Sequence, residues 1–403
     1  MRNDKNVPKI RFDEFNEEWS KGQLRKLVDI FDGTHQTPKY TKNGVKFVSV
    51  ENIKSLETDK YISIDDFIKE YSSKRPQKGD VLMTRIGDIG TTNIVKSDEA
   101  LGYYVTLALL KPKKIDGIYL SYSINSKSVQ KDLWRRTLHI AFPKKINLGE
   151  IEKIEIKFPE LEEQIMIGNY FENLDNLISS QKHKYEKLLD LKKAMLYKLF
   201  PKEGEVTPEI RFNGFTEDWK KTSISELLEE RNTQLPKDEE YPLKAFIAYE
   251  GIADKGDRYD RSSLVKDEDN KKYKRTELGD FIYSSNNLTT GSIGLNKFGK
   301  SSISPVYSIF SAKKKVDYNF IGVVLTRKEF INKMIKTRQG VVYGQWRIHE
   351  KDFLDLFISA PNYNEQKVIG EYFSRLDNLI NLNKEKLDKL KNVKSSLLDN
   401  MFV

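Results

Sequence analysis

Two stretches of the chain carry an apolar repeat with heptad spacing. From Ile167 and again from Ile369, apolar residues recur at steps of three and four, with Lys, Glu and Asp at many of the positions between them. That spacing places the apolar residues along one stripe of an α-helix. The sequence therefore predicts two long amphipathic helices, each about 55 Å in length at a rise of 1.5 Å per residue.

We expect the two stripes to pair as an antiparallel coiled coil, because their outer faces are too charged for burial inside a globule. The alternative is one separate core helix in each domain. Gln181 and Asn383 interrupt the stripes at matching positions, and in a pair related by a two-fold axis they would face each other and fix the register. The residues expected on the paired stripe are Ile167, Phe171, Leu174, Ile178, Gln181, Tyr185 and Leu188 in the first helix, and Ile369, Phe373, Leu376, Ile380, Asn383, Leu387 and Leu390 in the second.

The segments that flank the helices are also repeated. "PKIRFDEFNEEW" at Pro8–Trp19 returns as "PEIRFNGFTEDW" at Pro208–Trp219. "PELEEQIMIGNYFENLDNLI" at Pro159–Ile178 returns as "PNYNEQKVIGEYFSRLDNLI" at Pro361–Ile380. A repeat of roughly 200 residues indicates a duplicated domain, since solenoid units are far shorter. The chain is therefore predicted to be a tandem of two halves with matching ends and divergent middles.

The divergent middles predict mixed α and β structure. Short β-rich runs ("VKFVSV", "DVLMTRIG", "YYVTLALL", "DFIYSS") alternate with polar turns, and "SISELLEER" at residues 223–231 predicts a helix. We therefore predict an α+β protein in which two α/β domains are separated by the two long helices, as a pseudo-two-fold tandem repeat. The expected segments are 1–158 for the first domain, 159–203 for the first helix, 204–360 for the second domain and 361–403 for the second helix.

Composition narrows the chemistry. The chain of 403 residues has no cysteine, which excludes disulfides, thiol catalysis and cysteine-ligated zinc. Its four histidines show no metal-site spacing. No apolar run approaches membrane-spanning length, and the N-terminus has no apolar signal region. We expect a cytoplasmic protein with no membrane contact.

The net charge of +9 is unevenly placed along the chain. The helical segments 161–205 and 361–403 have nearly balanced charge, so the positive excess lies in the remainder. This is expected if the remainder contacts a polyanion. A basic surface that is merely solvated is the alternative.

"GLNKFGKS" at Gly294–Ser301 fits the spacing of a P-loop, which cradles phosphates at a helix N-terminus. Its equivalent in the first half, "IGTTNIVKS" at Ile89–Ser97, lacks the second glycine. The β-branched segment after Ser301, with Pro305, does not have a helix pattern. We therefore predict a duplicated β-hairpin element here. A P-loop ATPase, a nuclease carrying a coiled coil, and a coiled-coil scaffold without DNA contact remain as alternative functions.

The middles contain polar and basic segments suited to DNA. Arg, Gln and Asn can make bidentate hydrogen bonds to base edges, and Lys and Arg neutralise phosphates. Any single one of them is more often a solvated surface charge. No catalytic, cofactor-binding or metal-ligating residue is predicted. The DNA-contact candidates are Thr34, His35, Gln36, Lys39, Tyr40, Thr84, Arg85, Thr91, Asn93, Arg135, Arg136, His139, Lys144 and Lys145 in the first half, and Ser285, Asn286, Asn287, Thr289, Lys297, Lys300, Arg338, Gln339, Tyr343, Gln345 and Arg347 in the second.

The repeated motifs together resemble the specificity subunit of type I restriction-modification systems. The "P-x-I-R-F…W" opening, the strand with "GD" and the "EQ…IG.YF..LDNLI" helix occur twice in the same order. "GTHQTPKY…GVKFVSVENI" also looks like the opening of a target-recognition domain of that family. The resemblance covers nearly the whole chain.

The resemblance implies a function and partners. Each variable domain would be a target-recognition domain for one half of a split site in double-stranded DNA, and the helix pair would set the gap between the halves. The subunit would have no catalysis and no cofactor of its own. Two methyltransferase subunits that use S-adenosylmethionine would dock on it, and restriction subunits that use ATP and Mg²⁺ would join them to translocate and cut DNA.

Overall fold

The computed structural model describes residues 6–249, 251–254, 271–341 and 345–403. Contacts divide the chain into two units: unit 1 comprises Met1–His183 and Lys384–Val403, and unit 2 comprises Lys184–Asn383. Each unit therefore includes part of both long helices. The domain boundaries predicted from the sequence stay predictions, since they treat the helices as separate segments and this division does not.

The first half of the chain alternates short strands and helices before one long helix. In order it contains β1 (Ser20–Gln23), α1 (Leu24–Leu27), β2 (Val28–Asp32), β3 (Val45–Val48), a 3-10 turn (Val50–Asn52), β4 (Tyr61–Ile62), α2 (Ile64–Tyr71), β5 (Val81–Thr84), β6 (Thr92–Ile94), β7 (Leu101–Tyr103), β8 (Leu107–Pro112), α3 (Gly117–Ile124), α4 (Lys127–Arg136), α5 (Leu148–Ile151), β9 (Glu155–Phe158) and α6 (Leu161–Lys198).

The second half follows the same plan. In order it contains β10 (Lys220–Ser223), α7 (Ile224–Leu227), β11 (Leu228–Glu230), β12 (Gln234–Leu235), β13 (Ala245–Ile247), β14 (Gly251–Ala253), β15 (Tyr273–Thr276), β16 (Phe281–Tyr283), a 3-10 turn (Leu288–Thr290), β17 (Ile293–Leu295), β18 (Ser301–Ile303), β19 (Ser308–Ala312), α8 (Tyr318–Leu325), α9 (Lys328–Lys336), β20 (Gln339–Val341), β21 (Gln345–Arg347), α10 (Glu350–Leu354), β22 (Phe357–Ala360) and α11 (Tyr363–Met401).

Unit 1 is built on an antiparallel four-stranded sheet in the order β2-β8-β5-β6. Alternate residues of the central strands enter two different cores, because successive side chains of a strand point to opposite faces. Val81, Met83 and Ala108 pack with the helices, whereas Leu82 and Leu109 pack against the three-stranded sheet β4-β3-β7. Burial on both faces explains why β5 and β8 are continuous apolar runs.

Unit 2 repeats this sheet as β11-β19-β16-β17, also antiparallel. Phe281, Tyr283 and Phe310 lie in the core on the helical side, and Ile282 and Ile309 lie in a smaller cluster on the other face. Further pairings are the sheet β12-β15-β18 and the pairs β10–β22, β13–β14 and β20–β21. The α+β class and the tandem repeat predicted from the sequence are confirmed.

One predicted helix is wrong over most of its length. "SISELLEER" forms only the single turn α7, and its continuation is strand β11. Leu228 pairs with Ala312 of β19 and is buried, while Glu229 and Glu230 are exposed. Pairing with the neighbouring strand overrides the helical propensity of this charged run.

The repeated opening motif is held to the start of each long helix by a buried ion pair. Arg11 donates from Nε and Nη2 to the two carboxylate oxygens of Glu163, at 2.8 and 2.7 Å. Arg211 makes the same two contacts with Glu365, both at 2.7 Å. Both glutamates are 1% exposed. Hydrogen bonding to Glu163 raises the pKa of the Arg11 guanidinium, which therefore keeps its charge. The arginine of the opening motif and the glutamate of the "EQ" motif are thus partners.

The glutamine of the "EQ" motif connects the long helix to the domain that precedes it in the chain. Gln164 donates from Nε2 to the carbonyl of Pro159 (2.8 Å) and accepts from the backbone N–H of Asp116 (2.8 Å). Gln366 makes the same pair of bonds with Pro361 and Asp317, at 2.9 and 3.2 Å. The motif therefore satisfies buried backbone groups that would otherwise be unpaired.

Within unit 1, the beginning of α6 and the end of α11 run antiparallel. Phe171 packs on Phe402, with ring centroids 5.7 Å apart, and Asp175 forms an ion pair with Lys394 at 2.5 Å. Phe402 also contacts Trp19 edge-on at 6.3 Å. The end of α11 is therefore part of the core of unit 1.

Unit 2 contains the equivalent arrangement from the other two helix segments. Phe200 packs on Phe373 at 6.1 Å and on Trp219 at 5.9 Å, and Lys192 forms an ion pair with Asp377 at 2.5 Å. The end of α6 and the beginning of α11 are thus antiparallel here as well. Both repeated tryptophans are buried core residues.

The predicted stripe residues differ in burial along the helices. Gln181 and Asn383 are both 6% exposed; they belong to different units, and their facing each other stays a prediction. Buried stripe residues are Ile167, Phe171, Gln181, Ile369, Phe373, Leu376, Ile380, Asn383 and Leu387, and half-buried ones are Leu174, Ile178, Tyr185, Leu188 and Leu390.

Replacing Glu365 by alanine tests the structural importance of the ion pair. Glu365→Ala should lower the free energy of unfolding of unit 2 by roughly 3 kcal/mol, because Arg211 is left largely buried without its carboxylate. Thermal melting and hydrogen exchange of peptides from unit 2 measure the effect. The matched control on the same helix is Glu371→Ala, whose carboxylate is 46% exposed and should change stability by less than about 0.5 kcal/mol. Equal effects from the two variants would contradict this assignment.

Candidate nucleic-acid interface

In unit 1 the segment between α4 and α5 lies against the loop that joins β5 to β6. We name residues 137–146 the basic arm and residues 85–91 sheet loop 1. The backbone N–H of Gly87 donates to the carbonyl of Lys144 at 2.8 Å. Two candidate segments that are distant in sequence are therefore adjacent in space.

A half-buried carboxylate, that of Asp32, joins the third candidate segment to these two. The guanidinium of Arg85 donates to Asp32 at 2.5 Å, and the other Asp32 oxygen is 2.8 Å from Nε2 of His35. The backbone carbonyl of Arg85 accepts from the N–H of Ile146 in the basic arm. Asp32 was not predicted, since its role depends on a partner that lies 53 positions later in the chain.

The exposed part of this assembly is basic. Residues 131–145 contain five Lys or Arg residues and one acidic residue, Asp132. Among the described residues, Lys144 and Lys145 form no ion pair, so their ammonium groups are available to an anion. The candidates of unit 1 with exposed side chains are His35, Gln36, Lys39, Tyr40, Arg135, His139, Lys144 and Lys145.

Several candidates of unit 1 are instead used by the fold. Thr84 is fully buried and accepts from the backbone N–H of Thr91 at 2.9 Å. Asn93 donates to the carbonyl of Ile53 at 2.8 Å. Arg136 pairs with both Asp132 and Glu150. Thr34 is buried and its backbone bonds Tyr103 and Val105. Contact of these candidates with DNA stays a prediction, and those with internal partners are Thr34, Thr84, Arg85, Asn93 and Arg136.

Large apolar side chains lie on the surface beside these charges. Ile140 and Phe142 of the basic arm are fully exposed, and Trp134 of α4 is 65% exposed. The ring of His139 packs on Trp134 at a tilt of 46°, with centroids 4.5 Å apart. Sequence reasoning missed these residues, because apolar residues are normally assigned to the core. Their only signal is that they sit among Lys and Arg without a helical or strand period.

Unit 2 has a β-hairpin, β20–β21, at the place equivalent to the basic arm, and we name it the second hairpin. The loop from β16 to β17 (residues 284–292, sheet loop 2) holds it through side chains. Ser285 accepts from the N–H of Ile348 at 3.0 Å, and Asn286 accepts from the N–H of Trp346 at 2.6 Å. Both serine and asparagine were DNA-contact candidates, and the structure uses these acceptors to position the hairpin.

The second hairpin carries a different set of exposed groups. Gln345, Trp346 and Arg347 are exposed, with Arg347 3.7 Å from Glu350. Burial lowers the pKa of the Arg338 guanidinium, and its Nε and Nη2 have no hydrogen-bond partner in the described part of the chain. Gln339 donates to Asp352 at 3.2 Å. The candidate Tyr343 lies outside the described residues.

The remaining candidates of unit 2 are exposed at other elements. Asn287 and Thr289 are exposed in sheet loop 2. Lys297 forms an ion pair with Asp377 of α11 at 3.5 Å, and Lys300 pairs with Glu240. The hydrogen bond to Glu240 raises the pKa of Lys300. Neither lysine is left without a carboxylate.

The P-loop interpretation fails on geometry. β17 ends at Leu295 and Ser301 begins β18, which is a strand. A phosphate cradle needs the N-terminal amides of a helix at this point. The segment comprises the end of β17, the loop at residues 296–300 and the first residue of β18. β17 pairs with β16, and the equivalent pair in unit 1 is β5–β6.

Two further features bear on other functions. Over the described residues, no group of three or more His, Asp or Glu side chains is arranged to hold a metal ion. No described helix combines the length and the apolar character needed to cross a membrane.

Two equivalent domains on one chain, each pairing a sheet loop with a basic arm or hairpin, define a two-domain nucleic-acid-recognition protein. Residues 16–190 and residues 216–392 each match the family described as type I restriction modification DNA specificity domain. The chain belongs to this family, with two copies of its domain, and DNA specificity is its function.

Relatives cover nearly the whole chain. A candidate type I restriction enzyme MjaX specificity subunit of Methanocaldococcus jannaschii is 25% identical, covering 98% of this chain and 95% of the relative. The type I restriction enzyme MjaVIII specificity subunit of the same organism is 24% identical, covering 90% and 83%. The solved S subunit of a type I restriction-modification system from M. genitalium shares the fold, with a TM-score of 0.65, 16% identity and coverage of 98% and 99%.

Removing the side-chain anchor of the second hairpin should loosen it. Asn286→Ala should speed exchange of the Trp346 amide roughly 3- to 10-fold, because a hydrogen bond contributes about 0.5–1.5 kcal/mol. Hydrogen exchange of peptides spanning 345–349 measures this. The neighbouring Asn287→Ala is the matched control, since no side-chain bond caps the turn it precedes. Equal protection in both variants would show that Asn286 is not an anchor.

Proposed function

We propose that this chain is the DNA-recognition subunit of a type I restriction-modification complex, with each unit contacting one half of a bipartite, asymmetric site in double-stranded DNA. The observation that carries the proposal is the pair of equivalent loop assemblies with different exposed chemistry. The basic arm offers Lys144 and Lys145, whereas the second hairpin offers Gln345 and Arg347. Equivalent positions with unlike side chains suit two unlike half-sites.

The two long helices set the gap between the half-sites in this proposal. Their ends are packed into the cores of the two units, as Phe402 and Phe200 show. A change in helix length would therefore be passed on to the domains, since packed cores do not deform continuously.

The subunit acts without catalysis of its own. Two methyltransferase subunits with S-adenosylmethionine dock on it, and restriction subunits with ATP and Mg²⁺ complete the complex in the cytoplasm. Support for these partners is the family membership together with the repeated motifs at the helix starts. Those motifs are the part of the chain that is alike in both halves, as two identical docking partners require.

The direct test is to co-express the chain with its methyltransferase subunits and to sequence methylated adenines in the host genome. The expected result is one asymmetric, two-part motif with a fixed gap. Exchanging residues 20–157 for those of another family member should change one half of the motif and leave the other half. Methylation without a two-part motif would overturn the proposal.

The lysines of the basic arm should bind phosphates of the duplex. Lys144→Ala with Lys145→Ala should weaken binding to all duplexes and reduce the slope of log affinity against log salt by about 0.9 for each phosphate no longer neutralised, because fewer counterions are released. Titrations of labelled duplex at several salt concentrations give the slope. Lys153→Ala, which removes a lysine paired with Glu150 in the same unit, is the control. An unchanged slope in the double variant would exclude phosphate binding by these two lysines.

The helices should act as a spacer. Insertion of seven residues into both α6 and α11 lengthens each by about 10 Å, or about three base pairs of B-DNA. The preferred gap in the methylated motif should grow by about that number. Insertion into one helix alone should abolish methylation, because the stripes no longer match. An unchanged gap after the double insertion would contradict the spacer function.

A further inference from the structure

We propose that Ile140 and Phe142, at the tip of the basic arm, form an apolar wedge that enters the stack of bases at one step of the half-site contacted by unit 1. This inference rests on the proposed DNA-recognition function and deepens it. It assigns a role to the two most exposed large apolar side chains in the described part of that unit, which phosphate and base-edge contacts leave without one.

The exposure of these side chains is unusual. Ile140 and Phe142 have no cover from the rest of the described chain, and each belongs to a residue type that is normally buried. Single exposed apolar residues need no explanation, but here they occur together at one loop tip with Trp134 and Leu138 nearby in sequence, at 65% and 39% exposure. A cluster of this kind marks a contact surface.

The base of the arm is held by backbone hydrogen bonds, so the tip has a rigid support. The N–H of Leu138 donates to the carbonyl of Lys145 at 2.8 Å and closes the base of the arm. Ile146 beyond it is fully buried and bonded to Arg85 of sheet loop 1. Residues 139–144 are therefore a short tip on a base fixed by backbone hydrogen bonds.

The charges around the tip select the partner. Lys144 and Lys145, which form no ion pair among the described residues, follow Phe142 after one proline. Arg135 precedes the tip and pairs with Asp132 at 2.9 Å, and Asp132 is the one acidic residue in 131–145. An apolar patch that docks on a protein is usually depleted of lysine. Apolar side chains flanked by unpaired cations are instead typical of proteins that insert Phe, Leu or Ile between base steps while they neutralise the adjacent phosphates.

A wedge has a consequence for sequence preference. Unstacking costs a few kcal/mol per step, and the cost is lowest at flexible pyrimidine–purine steps such as TA and CA. The half-site of unit 1 should therefore include such a step, at a position selected by deformability rather than by hydrogen bonds to base edges. Unit 2 carries the single aromatic Trp346, 49% exposed, in its described hairpin residues, and needs no such step.

The test uses the full chain without methyltransferase subunits, so that no base-flipping partner contributes. Duplexes of the mapped site carry the fluorescent base 2-aminopurine at successive positions of each half-site. The wild-type chain should raise the fluorescence at one step of one half-site, because unstacking relieves quenching. Ile140→Ala with Phe142→Ala should remove that signal and weaken binding roughly 10- to 100-fold, with an unchanged salt slope.

Matched variants separate the wedge from the other functions of the arm. Lys144→Ala with Lys145→Ala should lower the salt slope and keep the fluorescence signal at saturating protein. Ile64→Ala removes an apolar side chain with 62% exposure elsewhere in unit 1 and should change neither measurement. A double variant of Ile140 and Phe142 that binds DNA like the wild type, but binds methyltransferase subunits less well, would overturn the wedge and assign the tip to a protein partner.

Failure of the wedge is distinguishable from failure of the proposed function. A two-part methylated motif, together with no fluorescence change at any step, would remove the wedge and leave DNA recognition in place. If no two-part motif exists, the recognition proposal fails first, and a fluorescence rise on random duplexes would then mark the tip as a wedge without sequence selectivity.

Discussion

Each half of this protein depends on one buried contact, the bidentate pair between the arginine of the opening motif and a glutamate in the first turn of a long helix. A carboxylate that is 1% exposed is costly unless both oxygens are paired, and the arginine fork meets that condition. Because the glutamate is fixed, the glutamine beside it can bond the start of α3 or α8, and the helix leaves each domain in a defined direction. The sheets and the loop assemblies of each half precede this junction in the chain.

In each domain the parts that are alike in the two halves and the parts that differ lie in different places. The parts that are alike in the two halves, which are the opening motif and the helix start, lie at the junction and form the cores with Trp19 and Trp219. The parts that differ lie between α4 and α5 in unit 1 and between α9 and α10 in unit 2. They are hydrogen-bonded to the sheet loops. Unit 1 fixes its arm by backbone bonds, whereas unit 2 uses the side chains of Ser285 and Asn286. A common scaffold can thus carry arms of different composition without a change in its core, which is how recognition surfaces diversify on constant folds.

The sequence predicts the parts of this structure that rest on a strong period or on self-similarity. The heptad stripes, the repeat and the paired strands with continuous apolar runs are of this kind. It fails where a distant partner decides. "SISELLEER" becomes a strand because β19 lies beside it. Arg85 is engaged by Asp32, a partner that no sequence pattern links to it. Phe142 shows the reverse error, since an apolar residue is normally assigned to the core, and its place among Lys and Arg without a regular period is a weak signal of exposure.

The packing of Phe402 against Phe171 and Trp19 also constrains the order in which the chain can fold. Domains commonly fold from the N-terminus as they leave the ribosome. Here residues 384–403 complete the core of the unit that is synthesised first, and they emerge only after all of unit 2. The apolar core of unit 1 therefore stays incomplete while unit 2 is synthesised. Until then the nascent chain leaves Trp19 and Phe171 without the cover that Phe402 gives them in the folded unit.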